Sequence, residues 1–146
     1  MSTIQDIPLT TITGESASLL DYAGHVLLVV NVASKCGLTP QYAGLEALHR
    51  SKSDAGFRVL GFPANNFREQ EPGTNEEIAE FCTATYAIDF PMFSKISVVG
   101  DDQHPLPLLR SGLDDLPHLR NVSLPDLRRR VVLQGHAANV RKAAIL

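Results

Sequence analysis

The sequence VLLVVNVA at residues 26–33, followed by SKCGLTP at residues 34–40, decides the fold of this chain. A continuous apolar run rich in valine is typical of a β-strand that is covered on both faces. Pro40 suits the first turn of a helix, because its missing N–H would have no partner there, and Thr39 is the candidate N-cap. The two stretches therefore predict a buried strand that leads through a short loop into a helix.

The flanking sequence predicts further elements in an alternating order. In chain order they are a β-hairpin formed by residues 8–13 and 16–20, the strand at 26–33, a helix from Pro40 towards Asp54, a strand at 57–62, a helix from Thr74 to near Tyr86, an extended element at 90–99 and a short helix at 105–110. Thr74 and Glu77 have the spacing of a capping box, which opens a helix. This order predicts an α/β sheet with parallel crossovers.

Composition excludes several classes of protein. The chain has 146 residues, of which 44% are hydrophobic and 20% charged, as expected for one globular domain. The net charge of −3 provides no general field for nucleic acid, and the longest apolar run is too short to span a bilayer. The N-terminus lacks the pattern of a signal peptide, and two cysteines cannot form a disulfide-rich scaffold. We therefore expect a cytoplasmic protein with neither nucleic acid nor a membrane as partner.

The chain is uneven along its length. All nine aromatic residues lie between Tyr22 and Phe93. Residues 1–109 carry 6 basic and 13 acidic side chains, whereas residues 110–146 carry 7 basic and 3 acidic ones. Because aromatic side chains supply much of a core, we predict one organised domain at 1–109 and a divergent, Arg-rich, poorly ordered segment at 110–146.

Cys36 is the residue with the clearest chemical potential. It lies between a buried strand and a helix, where backbone N–H groups and the positive helix end favour the ionised thiol, and Lys35 adds a cation. Gly37 allows the backbone to fold tightly around the sulfur. A small inert plug beneath the helix is an equally good interpretation, since free cysteines are often buried.

Other polar groups give weaker signals. Cys82 lies on the apolar face of its predicted helix, so packing alone explains it. The loop PANNFREQEPG at residues 63–73 holds the amides of Asn65, Asn66 and Gln70. These amides could stabilise a thiolate or an oxyanion, but turn formation is the favoured explanation. The five histidines are scattered without metal-ligand spacing, so we predict no metal or cofactor, and we place His49 on the helix surface.

Three stretches resemble the glutathione peroxidase family. They are NVASKCGLTPQY at residues 31–42, GFPANNFREQEPGTNEEIAEFC at 61–82 and FPMFSKISVVGDDQHPL at 90–106, which match the family's blocks in order and spacing. The resemblance covers about residues 4–109. It implies a thioredoxin-like fold, with a central mixed sheet flanked by helices and an N-terminal β-hairpin.

The resemblance also implies a function. It implies a peroxidase that reduces hydrogen peroxide or organic hydroperoxides, with thioredoxin or glutathione as reductant, in the response to oxidative stress. Cys36 matches the peroxidatic cysteine, which becomes a sulfenic acid, and Cys82 matches the resolving cysteine of the thioredoxin-dependent, monomeric branch. This implication replaces packing as the reason for Cys82, and its helical position predicts local unwinding.

The chain departs from the family at the groups that hold the sulfur. Asn66 stands at the family's Gln position and is shorter by about 1.5 Å, which weakens a hydrogen bond typically worth about 1.5–3 kcal/mol. The chain has no tryptophan, and the family's Trp/Asn block is missing. The alternative is a degenerate, non-catalytic member or an oxidant sensor. A frameshifted or truncated reading frame would explain both the missing block and the uneven composition.

Overall fold

The computed structural model describes residues 6–106 and 131–134 of the chain. The strands and α-helices are, in order, β1 (Leu9–Thr10), β2 (Ser16–Ala17), β3 (Val26–Val32), α1 (Gln41–Lys52), β4 (Phe57–Pro63), α2 (Asn75–Tyr86) and β5 (Val131–Gln134). Short 3-10 helices cover Leu19–Tyr22 and Ser53–Ala55. Among these described residues, no helix has the length and apolar character needed to cross a membrane.

The main sheet is parallel and has β3 at its centre. The described strands run in the order β4-β3-β5, with Leu28 opposite Val59 on one side and opposite Val132 on the other. Because neighbours occupy both edges of β3, its backbone groups are paired on both sides. The buried strand and the parallel crossover predicted from VLLVVNVA are confirmed.

Alternate side chains of β3 enter two separate cores. Leu28 and Val30 pack with the buried residues of α1 and α2, represented by Leu45 and Ile78. On the opposite face, Leu27 and Val29 belong to the second core, whose buried members are otherwise Leu9, Leu19, Leu60, Phe62, Ala64, Phe93, Val98 and Leu106. The two helices therefore cover one face, while the N-terminal segment and the chain after α2 cover the other, which explains why β3 is apolar throughout.

Helix α2 has the ends that its sequence predicts. The Thr74 hydroxyl accepts from the Glu77 N–H, and the Glu77 carboxylate accepts from the Thr74 N–H, which completes the capping box. The helix ends before Ala87, which adopts a left-handed conformation with φ of 49°. The predicted helix from Thr74 to near Tyr86 is confirmed.

The N-terminal hairpin is shorter than predicted. β1 and β2 pair antiparallel over two residues each, and the expected second strand at 16–20 is wrong beyond Ala17. Residues Leu19–Tyr22 form a 3-10 helix because Ser18 and Asp21 form a capping box at its start. The turn chemistry of Ser18 and Asp21 therefore outweighs the β-propensity of the surrounding residues.

The extended element predicted at 90–99 is not a regular strand. Its strand-like pairing consists of two isolated bridges, a parallel one between Gly61 and Met92 and an antiparallel one between Thr11 and Phe93. The Phe93 N–H donates to the Gly61 carbonyl at 2.9 Å, and its ring stacks on Phe62 with centroids 4.4 Å apart. Backbone hydrogen bonds to β1 and β4 and this ring stacking together fix the segment.

His49 is buried, not on the helix surface as predicted. Its Nδ1 accepts a hydrogen bond from the Val59 N–H at 3.2 Å, which joins α1 to β4. Burial lowers the pKa of this histidine, so its neutral form is favoured.

The last predicted elements lie mostly outside the described residues. This holds for residues 107–110 of the expected short helix and for most of the segment 110–146. Its described part is β5, which pairs with Leu27–Val30 of β3. The division of the chain at residue 109 stays a prediction.

Candidate functional site

The loop that carries Cys36 is held by one hydroxyl group. The Thr39 Oγ1 accepts from the Cys36 N–H at 3.0 Å and donates to the Ala33 carbonyl at 2.8 Å. Thr39 was predicted to cap α1, but the N-cap residue is Pro40, which makes no side-chain capping bond. The Thr39 side chain closes the loop instead, because both of its partners lie within that loop.

The Cys36 sulfur is partly exposed and receives a backbone hydrogen bond. The Leu38 N–H points to Cys36 Sγ at 3.4 Å, and Cys36 is a free thiol of intermediate exposure. A backbone N–H that points to a sulfur is a hydrogen-bond donor for negative charge that develops there in a reaction. The arrangement combines access for a small substrate with a group that stabilises negative charge on sulfur.

A cavity opens beside this sulfur. Its lining is mostly apolar, and the residues that form it are Asn31, Val32, Ala33, Cys36, Leu38, Thr39, Tyr42, Leu45, Ala64, Phe67 and Gln70. The lining thus comes from the end of β3, the Cys36 loop, the start of α1 and the loop after β4. Since the carboxyl ends of parallel β3 and β4 meet at one edge of the sheet, the topology itself creates this site.

Glu71 connects the two loops of the site. The side chain is 1% exposed and its Oε2 accepts from the Ser34 N–H at 2.7 Å and from the Ser34 hydroxyl at 3.1 Å. Burial raises the pKa of Glu71, while the bonds from Ser34 and the charges of Lys95 and Lys35 act in the opposite direction. Sequence reasoning missed Glu71; its place in the stretch that resembles the family's second block was the available signal.

The Asn66 side chain forms hydrogen bonds with residues after α2 and not with the predicted partner, the Cys36 sulfur. Its Nδ2 donates to the Ser97 hydroxyl at 3.0 Å and its Oδ1 accepts from the Val98 N–H at 2.8 Å. Asn66 is exposed and is not among the described residues that line the Cys36 cavity, whereas Gln70 is. A role for Asn66 at the sulfur stays a prediction, and it would require the side chain to leave Ser97 and Val98.

Cys82 is buried in the core beneath α2. It is 2% exposed, it is a free thiol, and burial raises its pKa to about 11, although Tyr42 lowers this pKa and Glu71 raises it. Cys82 packs in the same core as Tyr42, and Tyr42 also lines the Cys36 cavity. Both cysteines are therefore free thiols in this structure. Cys36 shares a cavity with Tyr42, and Cys82 shares a core with it.

Nothing in the described part of the chain resembles a metal centre. Within residues 6–106 and 131–134, no three side chains of the His, Cys, Asp or Glu type come together in a way that could hold a metal ion.

Known proteins match this chain over its described part. A model of the glutathione peroxidase family matches residues 4–108. The thioredoxin/glutathione peroxidase BtuE of Escherichia coli K12 is 57% identical over 107 residues, which are 70% of this chain and 58% of that protein. The glutathione peroxidase homolog BsaA of Halalkalibacterium halodurans is 52% identical over 103 residues, 70% of this chain and 66% of that protein.

A solved structure shows the same fold. The crystal structure of T. cruzi GPX1 superimposes with a TM-score of 0.54 at 34% sequence identity, over 73% of this chain and 63% of that one. The chain thus spans roughly three fifths of the length of these proteins. The match confirms the thioredoxin-like fold, and together with the family match over residues 4–108 it shows that the chain belongs to the glutathione peroxidase family.

Proposed function

We propose that this protein is a thiol peroxidase that reduces hydrogen peroxide or organic hydroperoxides in the response to oxidative stress. The observation that carries the proposal is the Cys36 sulfur, which accepts the Leu38 N–H at the edge of an open cavity. Membership of the glutathione peroxidase family supports it, as do the names of the similar proteins.

The first step is the reduction of the peroxide. The Cys36 thiolate attacks one peroxide oxygen, so that an S–O bond forms and the O–O bond breaks. The leaving hydroxide or alkoxide takes a proton and departs as water or an alcohol. Cys36 is oxidised by two electrons to a sulfenic acid, and the Leu38 N–H helps to hold the sulfur before the attack.

The second step uses Cys82. Its thiolate attacks the sulfur of the Cys36 sulfenic acid, an S–S bond forms, and hydroxide leaves and is protonated to water. Because Cys82 is 2% exposed within α2, it has to leave the core for the two sulfurs to reach bonding distance. We therefore include local opening of α2 in the proposed cycle.

The third step returns both thiols. Thiols of a reductant supply two electrons by exchange with the disulfide, and we propose thioredoxin or glutathione for this role. One thioredoxin dithiol, or two glutathione molecules, would be oxidised to a disulfide in the exchange. The E. coli protein is named for both reductants, and the presence of a second cysteine favours thioredoxin. We further propose a monomer in the cytoplasm, on the basis of the resemblance to the thioredoxin-dependent branch.

A coupled assay tests the proposal. Peroxide-dependent oxidation of NADPH, measured with thioredoxin and thioredoxin reductase, is expected for the intact protein and should fall to background in Cys36→Ser. Cys82→Ser is the matched variant, because it removes the other sulfur; it should lose turnover with thioredoxin but still consume one equivalent of peroxide. If the intact protein shows no turnover with either thioredoxin or glutathione, the proposed function is wrong.

A further inference from the structure

Tyr42 is part of the surroundings of both cysteines. It lies in the first turn of α1, where its ring lines the Cys36 cavity on one side and packs in the core that contains Cys82 on the other. The side chain is 3% exposed, and the neighbouring ring of Tyr86 lies with its centroid 5.3 Å away. Tyr42 therefore belongs both to the cavity of Cys36 and to the core of Cys82.

The hydroxyl group of Tyr42 lacks a hydrogen bond of normal geometry. It is fully buried, and no described residue pairs with it in that way. A buried hydroxyl without a partner is unfavourable and requires an explanation. The Cys82 thiol lies close enough for Tyr42 to lower its pKa, but a neutral thiol is a weak acceptor, whereas a thiolate is a strong one.

We propose that the Tyr42 hydroxyl is the donor that stabilises the Cys82 thiolate as it forms in the core, before Cys82 attacks the oxidised Cys36. This inference rests on the proposed function, in which Cys82 is the resolving cysteine. Burial raises the pKa of Tyr42, so its hydroxyl keeps its proton and stays a donor. In the reaction the hydrogen bond moves no proton: S–S formation and loss of hydroxide proceed as described above, and Tyr42 lowers the cost of the charge on sulfur.

The other ionisable groups that act on Cys82 or its neighbours do not favour the Cys82 thiolate as Tyr42 does. Glu71 raises the pKa of Cys82, and the charges of Lys35 and Lys95 act on the Glu71 carboxylate. Tyr86, on α2, acts on Tyr42. Among the described residues that influence the ionisation of Cys82, Tyr42 is thus the one that favours the thiolate.

Rapid mixing of the full-length protein with one equivalent of hydrogen peroxide tests this inference. Sulfenic acid and disulfide are measured over time by quenching and mass spectrometry, for the wild type, Tyr42→Phe and the control Tyr86→Phe. In Tyr42→Phe we expect the disulfide to form roughly tenfold more slowly, because one hydrogen bond to an anion is lost, while the sulfenic acid accumulates. Tyr86→Phe should match the wild type.

The pH dependence separates stabilisation of the thiolate from a structural effect. If Tyr42 stabilises the thiolate, Tyr42→Phe should reach a given rate of disulfide formation at a pH about one unit higher than the wild type does. Hydrogen exchange of the α2 amides should be unchanged. Wild-type rates and pH dependence in Tyr42→Phe would overturn the inference, and so would slower formation that coincides with altered exchange in α2 and an unshifted pH profile. Failure of the wild type itself to form the disulfide would overturn both this inference and the two-cysteine cycle.

Discussion

Thr39 and Glu71 show how single side chains hold the loops around Cys36 in place. One hydroxyl closes the Cys36 loop through the Cys36 N–H and the Ala33 carbonyl, and one buried carboxylate fixes Ser34 from the opposite loop. Both side chains satisfy backbone groups that would otherwise be buried without partners. The position of the Cys36 loop thus depends on hydrogen bonds with these two neighbouring side chains.

Glu71 leads to a prediction on stability and pH. Since its pKa in the folded protein is raised above the ordinary 4.5, the folded state binds the proton more tightly than the unfolded state does. The stabilisation from the protonated form is therefore complete below pH 4.5 and is lost as the pH rises through the higher folded pKa. Measured by urea unfolding at a series of pH values, the free energy of unfolding of Glu71→Gln should not show this loss, because the amide does not titrate.

The control for Glu71→Gln is Glu77→Gln, which replaces an exposed acid in the capping box. In Glu77→Gln, the free energy of unfolding should still fall with rising pH as it does in the wild type. An identical pH dependence in Glu71→Gln and the wild type would show that burial of Glu71 does not control this part of the profile.

At the residue scale, the sequence indicates candidate residues for the chemistry more readily than it indicates the contacts around those residues. Cys36 stands out because strand, loop and helix signals converge on it, and the resemblance adds Cys82. The roles of Tyr42 and Glu71 depend on contacts between distant segments, such as the 37-residue separation between Ser34 and Glu71, which no local pattern reveals. The prediction for Asn66 meets the same limit, because its partners Ser97 and Val98 lie 31 and 32 residues away.

At the element scale, the strongest patterns predict the strands and helices correctly. The valine-rich β3 and the capping box of α2 carry their own signals, so the structure confirms both. The apolar character of residues 90–99 predicts a strand, but separate backbone hydrogen bonds, two isolated bridges and side-chain packing fix them instead. Apolar character alone therefore predicted burial but not regular pairing.

The side chains of that segment pack closely against the backbone of β4 at Gly61. A Cβ built on Gly61 would lie 2.5 Å from Met92 Sδ and 3.0 Å from Phe90 Cε2, so Gly61→Ala should reduce the free energy of unfolding. We expect a loss of about 1–3 kcal/mol in urea unfolding, typical of an overpacked core.

Gly44→Ala provides a control of the opposite sign. Gly44 is exposed within α1, and a Cβ added there meets no atom within 4 Å. The substitution should stabilise the protein by about 0.5–1 kcal/mol, because alanine favours a helix interior. Equal effects of the two substitutions would contradict the packing described for Gly61.

At the scale of the whole molecule, the sheet separates two cores and the site lies at the ends of its parallel strands. The helices α1 and α2 share one core, and Cys82 lies inside it. The reduced structure therefore keeps the second sulfur away from solvent while the first is accessible. The two-cysteine cycle proposed above therefore requires a change in the helical layer.

Oxidation should reveal this change. Treatment with one equivalent of peroxide should reduce the far-UV circular dichroism signal of helix, because α2 opens when Cys82 bonds to Cys36, and dithiothreitol should restore it. Cys82→Ser should keep its helical signal after the same treatment. An unchanged signal in the disulfide-bonded wild type would mean that Cys82 reaches Cys36 without opening α2.

Peptide mapping by mass spectrometry under non-reducing conditions, after one equivalent of hydrogen peroxide, tests the role of Cys36 most directly. The account predicts one disulfide-linked pair of peptides that contain Cys36 and Cys82 in the wild type, and a sulfenic acid on Cys36 in Cys82→Ser. Recovery of both cysteines as free thiols, with the peroxide unconsumed, would contradict it.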